Sequence, residues 1–157
     1  MELNMMNALG KITYGLYIVT TKRGEDINGM IASWVSQISF DPPLLMVAIR
    51  KNRYSHTMIK ESGIFALNIV SKDRNDFISR FKAPTMKEKF EGISWKSNTT
   101  GAPIVQESVA FLDCTLEDTI DTGDHTLFVG KIIEAEVLND LEPMTCHDYG
   151  KVYIGQS

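Results

Sequence analysis

Hydrophobic and polar positions alternate along only parts of this chain, and the segment 27–35 breaks the alternation in an informative way. A half-buried strand places apolar side chains on one face and polar side chains on the other. In this segment apolar, polar and small side chains fall on both faces. Gly29 lies within it, and a glycine inside a strand marks either a bulge or bend of the sheet or a close approach by another group. Two interpretations therefore stand: a barrel corner, or a flat ligand lying against this backbone.

The rest of the pattern predicts a mainly β chain with short helices. Apolar residues at helical spacing predict helices at 3–12, 55–61 and 73–81. Apolar or alternating runs predict strands at 16–21, 27–35, 44–49, 64–70, 110–117 and 127–137. The segment 82–103 is the least regular and is interpreted as an ordered excursion or lid. Six to seven strands without β-α alternation predict a closed or nearly closed antiparallel β-barrel.

Composition narrows the class of protein. The 157 residues, 43% hydrophobic and 23% charged, are typical of one globular domain, taken as 1–157. A net charge of −4 disfavours a nucleic-acid partner. No apolar run reaches the ~20 residues that span a bilayer, and the N-terminus lacks signal-peptide features, so we expect a cytoplasmic protein that does not enter the membrane. Cys114 and Cys146 lack metal-ligand or redox spacing, which predicts reduced, packed thiols and no metal site.

A group of cations precedes the helix predicted at 55–61. Arg50, Lys51 and Arg53 come just before Ser55 and Thr57. A helix N-terminus with free backbone N–H groups, hydroxyls and neighbouring cations can bind a phosphate. The alternative is that Ser55 only caps the helix and the basic side chains are solvated.

Side-chain chemistry of the usual hydrolytic kinds is not visible in the sequence. His125 follows a Gly-Asp turn and could be an ordinary hydrogen-bonded structural histidine. No Ser-His-Asp order, paired carboxylates or clustered metal ligands stand out. A phosphate site beside a slot for a flat ring therefore indicates chemistry that a bound cofactor carries.

Several short motifs, taken in order, give the chain a family resemblance that runs from about Gly15 to Tyr153. They are Asn28-Gly29-Met30-Ile31-Ala32-Ser33-Trp34, Ser36 and Ser39 through Pro42-Pro43, Ser55-His56-Thr57, Phe65-Ala66-Leu67-Asn68, Lys89-Phe90-Glu91-Gly92, Gly101-Ala102-Pro103, and Gly123-Asp124-His125 with Leu127-Phe128-Val129-Gly130. In this order they resemble the flavin reductase-like family, whose fold is the FMN-binding split barrel. The tail, with Met144-Thr145 and residues 149–155, is more similar to the flavoredoxin and NADH:rubredoxin reductase branch.

The resemblance implies a homodimer that binds FMN without a covalent bond near the subunit interface. It implies that the isoalloxazine ring and ribityl chain lie against Asn28, Gly29, Met30, Ile31, Ala32, Ser33 and Trp34. It implies that the ribityl phosphate is held by Ala48, Ile49, Arg50, Lys51, Arg53, Ser55 and Thr57. His125 is expected to lie near the flavin and to help orient a reduced nicotinamide. Trp34 is bulkier than many family members carry there, and residues 81–85 are less glycine-rich.

Three functions are compatible with this resemblance. The first is an FMN-dependent oxidoreductase that takes hydride from NADH or NADPH and passes electrons to free flavin, rubredoxin, ferric chelates or another small acceptor. The second is a flavoredoxin-type FMN electron carrier without its own productive nicotinamide site. The third is a binding protein that has kept the fold and lost flavin. Because the sequence stops at Ser157 without a cysteine-rich iron domain, a rubredoxin partner is expected to be a separate protein.

Overall fold

The computed structural model describes residues 2–155, so the ends of the predicted domain, residues 1, 156 and 157, lie outside the described residues. Within that range the helices are α1 (Leu3–Leu9), α2 (Tyr54–Ser62), α3 (Asn75–Arg80), α4 (Met86–Phe90) and α5 (Cys146–Tyr149). The strands are β1 (Tyr17–Arg23), β2 (Asp26–Ala32), β3 (Val35–Ser39), β4 (Leu44–Arg50), β5 (Ile64–Ile69), β6 (Trp95–Ser97), β7 (Pro103–Val105), β8 (Ala110–Asp121) and β9 (His125–Val137).

Seven strands form one antiparallel sheet in the order β2-β1-β5-β8-β9-β4-β3. Its two outermost strands, β2 and β3, follow one another in the chain with only Ser33 and Trp34 between them. Two residues span roughly 7 Å, so the sheet has to curl until its edges meet. The N–H of Ala48 donates to the carbonyl of Trp34 at this seam. The prediction of a mainly β, six- to seven-stranded antiparallel split barrel is confirmed, with seven strands in the sheet.

The strands bury side chains on both faces, which explains their apolar runs. Val19, Val47 and Phe65 belong to the cluster inside the barrel. Ile18, next to Val19 on β1, belongs to a second cluster, which packs the outside of the sheet against α3 and includes Phe77. Because neighbouring residues of a strand point to opposite faces, β1 supplies both cores and alternation disappears from its sequence.

The structure differs from the sequence prediction in two places. The strand predicted at 27–35 is divided, because β2 ends at Ala32 and β3 starts at Val35. The segment 82–103 is more regular than predicted, since it contains α4 and a hairpin of β6 and β7. Thr85 and Glu88 form a reciprocal capping box that starts α4. That Thr-x-x-Glu pattern is a helix-start signal that the sequence already carried.

The cysteines agree with the sequence prediction. Cys114 and Cys146 are free and buried. Burial raises the pKa of the Cys114 thiol to about 12, so the thiolate that reacts with oxidants or metals does not form at neutral pH. Among the residues that the structure describes, no helix has the length and apolar character that crossing a membrane requires.

Candidate functional site

One cavity of about 680 Å³ opens at the seam where β2 passes into β3. Its walls come from β2 and the seam, the end of β4, the start of α2, the segment 81–84 and the tail at 151–153. These parts are distant in sequence, and the curled sheet brings them together. A concave site of this size is what a small organic cofactor needs.

Most residues predicted from the sequence line this single cavity. Those on its wall are Asn28, Met30, Ile31, Ala32, Ser33, Trp34, Ala48, Arg50, Arg53, Ser55 and His125. The structure therefore brings together the small-residue segment, the basic segment and the histidine, which the sequence separates by almost 100 positions.

Four of the predicted residues do not line the cavity. Ile49 is fully buried in the barrel core, because it points to the opposite face of β4 from Ala48 and Arg50. The ammonium of Lys51 lies 3.8 Å from the carboxylate of Asp121, on the exposed surface.

Thr57 and Gly29 are the other two predicted residues that do not line the cavity. Thr57 is exposed, because residues two apart on a helix face different directions and Ser55 takes the inward position. Gly29 contacts Phe81: a Cβ atom added to Gly29 would lie 2.8 Å from the Phe81 ring. The close approach that this glycine signals is made by an aromatic side chain of the protein itself.

The inner end of the cavity holds a polar cluster built by three elements. Asn28 on β2 donates from its amide nitrogen to the Ser55 hydroxyl on α2 at 2.9 Å. Lys89 on α4 donates to the Asn28 amide oxygen at 3.1 Å and to the Gly29 carbonyl at 2.8 Å. Asn28 and Ser55 are buried, so this cluster is positioned before any ligand arrives.

The cluster has positive charge without matching negative charge. Among the described residues no carboxylate lies within 4 Å of the cationic groups of Lys89, Arg53 or Arg50. Burial, together with the neighbouring Arg53, lowers the pKa of Lys89. A half-buried ammonium beside a second cation favours binding of an anion at this position.

The start of α2 shows whether Ser55 caps the helix, as one of the two sequence interpretations expected. The N-cap position is Arg53, and its side chain makes no cap hydrogen bond. Ser55 is the second residue of the helix, and its hydroxyl accepts from the Asn28 amide. Ser55 therefore does not cap the helix, and its hydroxyl is turned into the cavity with the cations.

The other end of the cavity is aromatic. The Trp34 and His125 rings lie with centroids 4.7 Å apart, and the ring of Tyr153 lies 4.9 Å from Trp34. His125 is buried, and its Nδ1 lies 2.6 Å from a carboxylate oxygen of Asp124. His56 does not line this cavity, and its Nε2 lies 2.8 Å from the hydroxyl oxygen of Thr126.

Sequence reasoning missed Lys89 and Tyr153 as site residues. Lys89 belongs to one of the motifs that carried the family resemblance, but its distance of 61 residues from Asn28 gave no sign that the two side chains touch. Tyr153 lies in the tail, whose pattern indicated a branch of the family and no contact. Both contacts arise from tertiary packing.

Together these features define a class of protein: a curled antiparallel barrel whose cavity offers a cationic end, an apolar wall and an aromatic end to a planar, anionic cofactor. The family model for the flavin reductase like domain matches residues 9–155. The chain therefore belongs to the flavin reductase-like family, and the resemblance drawn from the motifs is confirmed. It is an NAD(P)H oxidoreductase of the flavin reductase class.

Named relatives agree with this assignment. The chain is 38% identical over 148 residues to a ferric-chelate reductase (NAD(P)H) of Archaeoglobus fulgidus, covering 92% of this chain and 88% of the relative. It is 36% identical over 152 residues to a high molecular weight rubredoxin of Moorella thermoacetica, covering 94% of this chain and 66% of that protein. The solved structure of flavin reductase HpaC complexed with NADP+ superposes with a TM-score of 0.83 at 29% identity, covering 92% of each chain.

The chain also matches parts of longer proteins. It spans only 23 to 27% of the length of the diflavin flavoproteins of Nostoc and Synechocystis that it resembles. In those proteins the matching segment is one part of a larger polypeptide. The match therefore assigns neither the activity nor the partners of those longer proteins to this chain.

Proposed function

We propose that this chain is an FMN-dependent oxidoreductase that takes reducing equivalents from NADH or NADPH and passes them to a small acceptor. The observation that carries the proposal is the cluster of Asn28, Ser55 and Lys89 at one end of the cavity. Its ammonium, hydroxyl and amide suit a single phosphate, and the uncompensated charge explains why an anion would bind there. FMN carries one such phosphate, which supports FMN over FAD.

The remaining walls of the cavity fit the rest of FMN. Met30, Ala32 and Ala48 present apolar or small side chains on which a flat ring can pack. Arg50 lies between this wall and the histidine end, where it would add positive charge near the ring. FMN, when bound, would supply the redox chemistry by accepting two electrons from the coenzyme and passing them on.

The protein's own groups would position and shield the reaction. Trp34 and the tail at 151–153 cover the aromatic end of the cavity, where they would exclude water from the ring. His125, held by Asp124, would contact the nicotinamide and orient it. In this proposal His125 is the residue closest to a catalytic role.

Electron acceptors and assembly belong to the same proposal. A rubredoxin is one candidate acceptor, supported by the match to a protein named high molecular weight rubredoxin. A homodimer is supported by large apolar side chains on the surface, including Phe40 at 89% exposure and Leu3 at 71%. Two free, buried cysteines support a reducing, cytoplasmic setting.

The identity of the cofactor can be tested directly. The purified protein should be yellow, and heat or acid should release a flavin that chromatography identifies as FMN. If it is purified without flavin, it should take up added FMN in preference to FAD and riboflavin. A protein that stays colourless and binds none of the three contradicts the proposal.

The reaction can be tested by anaerobic stopped-flow mixing of the FMN-loaded protein with NADH and, separately, with NADPH. Rapid bleaching of the flavin absorbance with either coenzyme is the expected result. Bleaching by dithionite but by neither coenzyme would instead establish the carrier function, in which FMN is bound without a productive nicotinamide site.

A further inference from the structure

We propose that Tyr153 is a positioning residue, which fixes the orientation of the His125 imidazole at the aromatic end of the cavity, while Asp124 fixes its tautomer. The inference rests on the proposed function only in giving His125 a task toward the nicotinamide. The contacts that carry it are all within the chain. They join the tail, the seam between β2 and β3, and the first residue of β9.

One nitrogen of the imidazole is fixed by a carboxylate. Nδ1 of His125 lies 2.6 Å from Oδ1 of Asp124. This hydrogen bond lowers the pKa of the Asp124 carboxyl, so the carboxylate is ionised at neutral pH and can only accept. Nδ1 must therefore carry the proton and donate it to Asp124.

The other nitrogen faces the tail. Nε2 of His125 lies 3.3 Å from the hydroxyl oxygen of Tyr153. When Nδ1 carries the only proton of a neutral imidazole, Nε2 is an acceptor and the tyrosine hydroxyl donates to it. When the imidazole is doubly protonated, the same hydroxyl oxygen accepts. A hydroxyl can serve both states, and a phenylalanine ring could serve neither.

Tyr153 is itself held in place by contacts around the seam. Its backbone carbonyl accepts from Nε1 of Trp34 at 3.3 Å and from the hydroxyl of Tyr14. Its ring packs on Trp34, which in turn packs on His125. Among the described residues no backbone-to-backbone hydrogen bond joins 151–155 to the rest of the chain. Within the described part of the tail, the hydrogen bonds to the rest of the chain all involve Tyr153.

This arrangement gives Tyr153 a task that packing alone does not require. A phenylalanine ring would pack on Trp34 equally well. The tyrosine hydroxyl also lies within hydrogen-bond distance of Nε2, the nitrogen of the buried His125 that Asp124 does not bind. Without that hydroxyl, Nε2 keeps no protein partner among the described residues. Rotated positions of the ring then become more populated, because one of its two hydrogen bonds is lost.

The test is histidine tautomer analysis by long-range proton–nitrogen NMR on the full chain labelled with ¹⁵N at histidine. The chain has three histidines, so His125 can be assigned by a His125→Gln sample. We expect the wild type to show the Nδ1–H tautomer at His125. Tyr153→Phe should keep this tautomer, because Asp124 is unchanged, and should raise the population of rotated ring positions by about 3- to 10-fold, as loss of one hydrogen bond predicts. Nuclear Overhauser contacts between the His125 and Trp34 rings report that change. Tyr17→Phe is the matched control, because Tyr17 does not line this cavity.

A His125 spectrum that is the same in the wild type and in Tyr153→Phe overturns the inference. A second measurement uses the flavin-loaded protein: kcat for reduction by the coenzyme should fall about 3- to 10-fold in Tyr153→Phe, while the Kd for flavin changes less than about 2-fold. A fall in kcat without a change in the orientation of the His125 ring also overturns it. The NMR result needs no flavin, so a wild type that fails to bind FMN contradicts the proposed function and leaves this inference standing on its own data.

Discussion

At the scale of single residues, the half-buried ammonium of Lys89 is the most informative group in the molecule. A cation removed from water without a carboxylate partner costs free energy, so such a group is retained where a ligand compensates it. Its hydrogen bonds to Asn28 and to the Gly29 carbonyl satisfy two of its donors. They leave its charge uncompensated within the described residues, and the third donor remains for the ligand.

The positive charge of Lys89 can be tested by a substitution that removes it. Lys89→Gln should weaken FMN binding by about 10- to 100-fold, because it removes a charge-assisted hydrogen bond to phosphate. Riboflavin, which has no phosphate, should bind both proteins with similar affinity. Lys87→Gln, on the same helix but away from the cavity, is the control and should leave both Kd values unchanged. Fluorescence titration measures them, and equal losses for FMN and riboflavin would contradict the phosphate assignment.

The second prediction separates two hydroxyls on α2. Ser55→Ala should weaken FMN about 10-fold, because the buried hydroxyl borders the anion position and accepts from Asn28. Thr57→Ala should change FMN affinity by less than about 2-fold, because Thr57 is exposed on another side of the helix. Isothermal titration with FMN compares the two variants. A larger effect of Thr57 than of Ser55 would contradict the placement seen in the structure.

At the scale of elements, the contact between β2 and the segment after α3 explains why one strand carries a glycine. Gly29→Ala should destabilise the fold by about 1–3 kcal/mol, because the new methyl group would lie within 3 Å of the Phe81 ring. Gly123→Ala is the control, since nothing lies within 4 Å of the added Cβ. Chemical unfolding measures both free energies. Phe81→Leu in the Gly29→Ala background should recover part of the loss, and failure to do so would count against this contact.

Asp113 on β8 binds the loop that contains Thr100, and this contact predicts a dependence of protein stability on pH. The carboxylate of Asp113 is buried and accepts from the Thr100 N–H at 3.0 Å and from the Thr100 hydroxyl at 2.6 Å. Burial is the main cause that raises the pKa of Asp113, with the charge of Glu134 adding to it. The folded state therefore holds a proton on Asp113 more tightly than the unfolded state does.

Asp113 therefore stabilises the folded protein at pH values below its ordinary pKa. This stabilisation is lost as the pH rises through the raised pKa that Asp113 has in the folded state. The free energy of unfolding of the wild type should increase, relative to Asp113→Asn, as the pH is lowered from about 7 toward about 4.5. Urea unfolding of both proteins across this range measures the difference. Parallel pH curves for the two proteins would show that Asp113 does not titrate differently in the folded state.

At the scale of the whole molecule, the surface predicts association. Exposed apolar side chains occur on α1, on the turn after β3 and at the end of β9, where Leu3, Phe40 and Val137 are at least 70% exposed. Covering these side chains with a second copy of the chain would remove apolar area from water, which is favourable. Light scattering coupled to size exclusion should give twice the chain mass of 17.6 kDa. A mass of one chain at micromolar concentration would contradict the homodimer.

The fold was more predictable than the site. Strands β4 and β5 could be located within a residue or two, because continuous apolar runs bounded by prolines or glycine are typical of strands buried on both faces. The division of the first unusual strand at Ser33 and Trp34 could not be predicted. It depends on where the two edges of a curled sheet meet, which no local pattern encodes.

By itself, the sequence determined the class of fold, the family and part of the cavity wall, namely the segments 28–34 and 48–55 together with His125. Periodicity, turn residues and motifs carry this information because they can be read directly from the sequence. Only the tertiary structure decided which side chains of those segments reach the cavity. Ser55 points into the cavity, whereas Thr57 is exposed on another side of the helix. Lys89 contacts Asn28, and Tyr153 packs on Trp34 beside His125. The physical reason is that these contacts depend on the curl of the sheet and on packing between distant segments, where a displacement of one residue reverses the direction of a side chain.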